Sequence, residues 1–289
     1  MPELPEVETL RRGLSAHIIS KEIATVIADT GKSFPNTKVD VATFLVGARI
    51  TDVRRRAKVL LIELSTQYTL VSHLKMTGQM VYVGEERFGA GHPNDSLIGD
   101  LPDKSTRITI RFTDGSHLYF NDQRKFGWMK LLPTVEVPTI NFMQKVGPEP
   151  LESDFTPEVF KARLTRRKKS SIKAVLLDQS VVAGIGNIYA DESLWGAKIH
   201  PSTLVKDLSD KQITCLWKEL RSILELAIER EGSSSIAYSN NGGKRGSYMG
   251  FARVYHRDGQ PCVRHPDVLI EKSKVAGRGT HTCPVCQVK

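Results

Sequence analysis

The residues Met1-Pro2-Glu3-Leu4-Pro5-Glu6 open the chain with the most reactive chemistry it can offer. Removal of Met1, which a small second residue such as Pro2 permits, leaves a secondary amine at the terminus. An α-amino group titrates near ~7.7–8.0, well below lysine at ~10.4, so a useful fraction is unprotonated at neutral pH. The unprotonated amine attacks an aldehyde-level carbon to give an iminium. Glu3 beside it can donate or accept the proton. The plainer alternative is an arm that leads into a helix over 6–14.

Two knuckles near the other end, Cys262-Val263-Arg264-His265 and Cys283-Pro284-Val285-Cys286, offer three thiols and one imidazole. Those four are an ordinary tetrahedral zinc set, and His281 is near enough in sequence to be weighed as a ligand. The alternative is a hairpin that folds without metal. Gly184-Ile185-Gly186-Asn187 lies between helical patterns. No strand precedes it and no third glycine follows, which argues against a dinucleotide loop. A turn presenting backbone N–H groups and the Asn187 amide to a phosphate fits better, with a plain tight turn as the other choice.

These groups need elements to hold them. Leu10, Leu14 and Ile18 are spaced for a helix over 7–18. From 23 to about 132 the pattern becomes one of short strands, including 59–64, 69–74, 107–112 and 117–120, with Thr113-Asp114-Gly115-Ser116 as a hairpin turn. Residues 84–103, rich in Gly, Pro and Asp, read as a surface loop. Prolines 133, 138, 148 and 150 mark a linker. Helical patterns follow over 157–164, 171–177, 188–195 and 209–231, where Cys215 reads as core. The stretch 232–250 is rich in Gly, Ser and Asn, and 253–255 and 268–270 read as short strands. The fold expected is α+β: an N-terminal β-sandwich with a leading helix over 1–133, a linker over 134–150, a helical domain over 151–250 and a metal hairpin over 251–289.

The chain has 289 residues and a net charge of +9. Its basic residues cluster at Arg54–Arg56 with Lys58, at Arg166–Lys169 with Lys173, and at Lys272, Lys274 and Arg278. Clustered positive charge favours a polyanionic partner such as nucleic acid. Four cysteines in a chain this long do not make a disulfide framework. No stretch is long and apolar enough to span a bilayer. Pro and Glu stand where a signal peptide needs basic and apolar residues, so export is not expected.

The opening motif resembles that of the formamidopyrimidine-DNA glycosylase family. So, in order, do His73-Leu74-Lys75-Met76-Thr77-Gly78, Asp122-Gln123-Arg124-Lys125-Phe126-Gly127, Gly147-Pro148-Glu149-Pro150-Leu151, and Asp178-Gln179 with Gly184–Glu192. The resemblance spans nearly the whole chain and implies a helix-two-turn-helix domain followed by a zinc-finger β-hairpin. It further implies a glycosylase and abasic-site lyase acting on oxidised purines in duplex DNA, with Pro2 as nucleophile and Glu3 and Lys58 in proton transfer. By the same resemblance Met76, Arg124 and Phe126 fill the hole left by the flipped base, and His73, Lys168 and Asn187 contact the DNA backbone. Arg278 assists the second elimination, and the stretch 232–250 covers the flipped base.

One structural zinc is implied, on Cys262, His265, Cys283 and Cys286. The chain departs from the family pattern there, because His265 replaces a cysteine and the spacer 266–282 is one residue longer. Ser105 stands where the family often has a DNA-contacting histidine. A monomeric, cytoplasmic, nucleoid-associated enzyme is expected. Two other readings stand beside it: an endonuclease VIII-type enzyme for oxidised pyrimidines, and a non-catalytic damage-binding protein. Leu4 and Arg124-Lys125-Phe126 favour the purine branch.

Overall fold

The computed structural model of the chain describes residues 1–28, 31–233, 235–238, 244–245 and 248–289, with 235–238 and 244–245 described by backbone alone. Two compact units result. One comprises Met1–Gln144 with Arg230–Ser247, and the other Lys145–Glu229 with Tyr248–Lys289.

In the first unit, helix α1 (Leu4–Ile18) leads into β1 (Ile23–Ala28), the short turn α2 (Lys38–Asp40), and then β2 (Ile50–Arg56), β3 (Val59–Leu64), β4 (Tyr68–His73), β5 (Gly78–Val83), β6 (Arg87–Gly91), β7 (Thr106–Phe112), β8 (His117–Asp122) and β9 (Trp128–Pro133). A short helix, α3 (Asn141–Lys145), follows, and β10 (Ser235–Tyr238) and β11 (Lys244–Arg245) return to the unit. Two sheets form, β1-β7-β8-β5-β6-β10-β11 and β2-β3-β4-β9. Leu4, Val7, Leu10, Leu14 and Ile18 repeat at three- and four-residue spacing and are all buried. Helical spacing puts them on one stripe, and that stripe shares a core with Leu60 and Ile62 of one sheet and Met80, Phe112 and Phe120 of the other. Gly13 admits close approach: a Cβ there would meet the Phe88 ring at 2.0 Å.

The strand assignments hold, with ends moved by a residue or two, but 84–103 is more than a loop. Its first half is β6, which pairs with β5 from Val83↔Arg87 to Gln79↔Gly91. Within 232–250, the strand Ser235–Tyr238 also departs from the sequence assignment to the helical domain, while 248–250 stay with the second unit. Backbone pairing is the reason, because β10 adds to β6 from Ser235↔Ala90 to Tyr238↔Arg87. Much of the proposed cover over 232–250 lies outside the described residues.

The second unit holds α4 (Pro157–Thr165), α5 (Ile172–Leu177), α6 (Asn187–Gly196), α7 (Asp210–Glu229) and the hairpin β12 (Glu271–Val275)–β13 (Arg278–Thr282). Thr156 and Ser171 cap α4 and α5 by accepting from Val159 N (3.3 Å) and Ala174 N (3.4 Å). Such caps satisfy the orphan N–H groups of a helix start. Cys215 is exposed, not core. On α7 the buried positions are Ile213, Leu216, Leu220, Ile223, Leu224 and Ala227, and 215 falls off that stripe.

The two late strand expectations also change. Residues 253–255 form no strand, because their N–H groups all donate to Glu192. Residues 268–270 make only a single bridge, Pro261↔Leu269, and pairing begins at Glu271. Among the described residues no helix is long and apolar enough to cross a membrane.

Candidate nucleic-acid interface, amine site and metal centre

At the head of α1, Pro2 is buried and Glu3 and Glu6 are each 3% exposed. The Glu6 carboxylate accepts from Glu3 N at 2.8 Å and from Ser233 N and Oγ at 2.9 Å. Lys58 is buried in the turn between β2 and β3, where Ala57 has φ 53°. The amino terminus, on Met1, is held below its ordinary pKa by burial first; Glu3 and Glu6 oppose the shift and Lys58 adds to it. Desolvation disfavours the charged ammonium, so the pocket enriches the nucleophilic form.

His73 ends β4 and is buried against Trp128 and Phe142, with ring centroids at 6.0 and 5.9 Å. Its Nδ1 accepts from Lys75 N at 3.0 Å. That bond assigns the ring hydrogen to Nε2. Burial, with lesser help from Lys75 and Lys58, lowers its pKa to about 3. The ring is therefore a neutral donor and not a charged contact.

Met76 and Phe126 are 37% and 55% exposed, and the Arg124 guanidinium stands 5.0 Å from the Phe126 ring centre. Exposed apolar side chains on turns do not serve the core. Their two loops are joined by Asp122, fully buried, which sequence reasoning quoted but gave no role. Its Oδ1 accepts from Thr77 Oγ1 and from Arg124 N (3.2 Å), and its Oδ2 from Gly127 N (2.6 Å).

The basic run of β2 is largely engaged by the protein itself. Arg54 pairs with Glu63, and Arg55 reaches Glu8 at 3.3 Å.

In the second unit, Lys168 is exposed, and its ammonium pairs with none of the described residues. Its neighbour Arg167 faces Asp178 at 3.2 Å. The turn before α6 is shaped by Gln179, which accepts from Gly184 N (3.0 Å) and donates to Ile185 O (2.7 Å). Gly184 has φ +81°, which glycine adopts readily. Asn187 opens α6, and its amide donates to Gly279 O at 2.9 Å, so the side chain is tied to the hairpin. Arg278 is exposed beside the Ala276-Gly277 turn.

Three buried charges, also missed from sequence, anchor this part. Lys173 donates to Asp191 (2.6 Å), Gly279 O (2.9 Å) and Thr280 Oγ1 (2.8 Å). The other Asp191 oxygen accepts from His281 N at 3.0 Å. Glu192 accepts from Arg253, Val254 and Tyr255 N–H groups, the last at 2.8 Å. The available signal was two acids inside an otherwise apolar helix.

The ligand atoms of Cys262, His265, Cys283 and Cys286 all lie within 4.8 Å of one another. Cys262 Sγ is 3.8 Å from Cys286 Sγ, and His265 Nδ1 is 3.3 Å from Cys286 Sγ. A zinc tetrahedron with Zn–S near ~2.3 Å requires sulfur separations of about 3.8 Å. Burial, compounded by the neighbouring Cys283 and Cys262, pushes the Cys286 thiol up to about 11. Four ligand atoms at this spacing could hold one metal ion. His281 points elsewhere, with Nδ1 3.3 Å from Asp191 and Nε2 3.4 Å from Asp258. Cys262, Cys283 and Cys286 share a small core with Trp195, Val254 and Ile270. Arg264 lies 3.7 Å from the Trp195 ring centre.

A partly buried amine with flanking carboxylates, paired loops bearing exposed apolar tips, and a Cys3His cluster that could hold a metal beside a helix-opening turn fit a DNA glycosylase of base-excision repair. The family description "Formamidopyrimidine-DNA glycosylase N-terminal domain" matches residues 1–129, and "Formamidopyrimidine-DNA glycosylase H2TH domain" matches 146–239. The formamidopyrimidine-DNA glycosylase of Pediococcus pentosaceus is 43% identical over 289 residues, covering 100% of this chain and 99% of that one. The protein of the same name from Streptococcus pyogenes is 41% identical, with 100% and 99% covered. Among solved structures, a Lactococcus lactis Fpg mutant bound to Fapy-dG-containing DNA superposes with a TM-score of 0.86 at 36% identity, covering 100% of both chains. The Lactococcus lactis glycosylase bound noncovalently to DNA with an abasic site gives 0.84 at 35%, covering 99% of this chain and 100% of that one. The chain belongs to the formamidopyrimidine-DNA glycosylase family.

Proposed function

We propose that the chain excises oxidised purines, such as 8-oxoguanine and formamidopyrimidine, from duplex DNA and then cleaves the strand as an abasic-site lyase. The observation that carries this reading is the cluster at the head of α1, where buried Pro2 lies with buried Glu3, Glu6 and Lys58, and where burial lowers the pKa of the partly buried terminal amine. Once Met1 is removed, the same surroundings act on Pro2. Its nitrogen lone pair forms a bond to C1′ as the glycosidic C1′–N bond breaks with its electrons leaving on the base, and the N–H proton that the amine must then shed neutralises the departing base. Glu3 gives a proton to O4′ as the sugar ring opens to the iminium. The iminium acidifies the C2′ hydrogen; its loss expels the 3′ phosphate, and a second elimination expels the 5′ phosphate. Lys58 is assigned to proton transfer, and Arg278, by the family resemblance, to the second elimination.

Met76, Arg124 and Phe126 are assigned to the hole left by an extruded base, whose unstacking costs a few kcal/mol; the exposure of Met76 and Phe126 supports that role. His73, Lys168 and Asn187 are assigned to the DNA backbone. Cys262, His265, Cys283 and Cys286 would hold one zinc, whose part is to fix the knuckles that carry Arg278 and not to join the reaction. The relative solved with Fapy-dG-containing DNA supports the purine branch, as do Leu4 and Arg124-Lys125-Phe126. A monomer located with the nucleoid accompanies this reading.

Borohydride trapping on lesion DNA, with peptide mapping, tests it. The adduct is expected on Pro2 in protein lacking Met1, and none in protein that retains it. A lysine adduct in Met1-bearing protein would overturn the assignment. A duplex with 8-oxoguanine should be cleaved in preference to one with thymine glycol. The reverse order would favour the pyrimidine enzyme, and cleavage of neither would favour a damage binder.

A further inference from the structure

The segment after β6 is built as a platform. Arg87 donates to Leu97 O (3.0 Å), Ser96 O (3.2 Å) and Gly99 O (2.7 Å). Leu97 is buried with Val81, and Val83 and Leu101 pack against them. The start of the segment is pinned harder still. His92 N donates to Gly78 O at 3.0 Å, and the buried Gln79 amide donates to His92 O and to Asn94 Oδ1. Gly91 has φ +129°, and a Cβ there would meet Gly78 O at 2.5 Å, so only glycine lets the two strands approach.

This clamp sets His92 next to Thr77-Gly78, the foot of the Met76 loop. Its backbone is fixed, yet its half-buried ring hydrogen-bonds to none of the described residues. The ring lies within electrostatic reach of the amino terminus and of Asp122; burial, the largest influence, and the amine disfavour its protonation, while Asp122 favours it, for a net lowering.

We propose that His92 is a substrate-contacting residue beside the Met76 loop: its ring N–H donates to a phosphate oxygen of the bound lesion duplex. The proposal rests on the lyase reading above. A neutral donor suits the location, because another full cation beside the amine would oppose the iminium that must form there. A hydrogen bond to an ionised acceptor still contributes about 1.5–3 kcal/mol.

The test is binding of an abasic-site duplex, read separately from cleavage, for wild type, His92→Ala, His92→Gln and His92→Lys, with melting temperatures alongside. His92→Ala should weaken binding roughly 10- to 100-fold. His92→Gln, neutral with an N–H of similar reach, should restore most of the loss. The slope of log affinity against log salt should be the same in wild type, Ala and Gln, and steeper in His92→Lys, which adds a counterion-releasing contact. Undiminished binding by His92→Ala overturns the proposal. So does a His92→Gln as impaired as His92→Ala at equal melting temperature, or a salt slope that falls by about one in His92→Ala, the mark of a charged contact. A wild type that binds the duplex but gives no borohydride adduct would fail the lyase reading instead.

Discussion

The loops bearing Met76, Arg124 and Phe126 grow out of strands with apolar faces, so the sandwich core fixes their bases and Asp122 need only join their tips. Arg278 stands on different ground. The strand β12 reads Glu-Lys-Ser-Lys-Val and is exposed along most of its length. Its partner β13 is held by Lys173, Asp191 and, through the knuckles, the Cys3His cluster. The exposed side chains proposed to meet DNA are thus positioned in one unit by hydrophobic burial with a single buried carboxylate. In the other, paired charges and a metal set take that part. The first arrangement should degrade locally when damaged, and the second should fail as a block.

The sharpest test of that contrast is Lys173→Met. It leaves the buried Asp191 without its countercharge, a loss that typically costs about 3–5 kcal/mol. Melting of the second unit should fall by roughly 10 °C, with DNA binding lost alongside. The double variant Lys173→Met with Asp191→Leu should recover part of the melting temperature, since an apolar pair can replace a buried ion pair. A single variant that melts like wild type would show that the hairpin needs no such anchor.

Metal removal should come next in size. His265→Ala should lose its single zinc and weaken DNA binding, while His265→Cys should regain both; zinc content by mass spectrometry under native conditions reads this directly. Because ligands must be deprotonated to bind, acid should release the metal. Full zinc in His265→Ala with loss in His281→Ala would mean that the wrong imidazole was chosen. The first unit should be untouched in its melting by chelation.

Asp122→Ala should act more narrowly. It strands three donors at a buried point, at about 1–3 kcal/mol, yet the sandwich should stay folded. Excision from duplex should slow far more than excision from an unpaired lesion, where no hole must be filled. Equal slowing on both would assign Asp122 to the fold alone.

His73 gives the first unit a pH signature. Its pKa is 6.5 when unperturbed and about 3 when folded, so between those values the unfolded chain binds the extra proton. Stability should therefore fall as pH drops through that window and be complete above it. Replacing His73 with Gln should flatten this part of the profile, which denaturant titrations from pH 7 to 4 would show.

Much of this arrangement was legible in the sequence because it is local. The apolar run from 59 to 64 and helical spacing from 213 to 227 report burial directly, and the Cys-x-x-His and Cys-x-x-Cys knuckles name their own chemistry. What escaped depends on partners far along the chain. Lys173 reads as one more member of a basic run until Asp191 and Thr280 are placed around it. Residues 253–255 look like a strand until Glu192 claims their N–H groups. Residues 84–103 look like a loop because Gly89 and Gly91 suppress the strand pattern, although close approach to the β5 backbone is what requires glycine at 91.

The smallest expected effect concerns Lys168. It is exposed and paired with none of the described residues, whereas Arg167 beside it is engaged by Asp178. A solvent-facing ammonium adds little to folding, so Lys168→Ala should melt like wild type. If it neutralises one phosphate, the slope of log affinity against log salt should become shallower by about 0.9, and affinity should drop equally for damaged and undamaged duplex. Arg167→Ala should change the slope less, because its charge is already partly met within the protein. A Lys168→Ala loss confined to damaged duplex would make Lys168 a reader of the lesion and not of the backbone. A larger slope change in Arg167→Ala would mean that the Arg167–Asp178 pair opens when DNA binds.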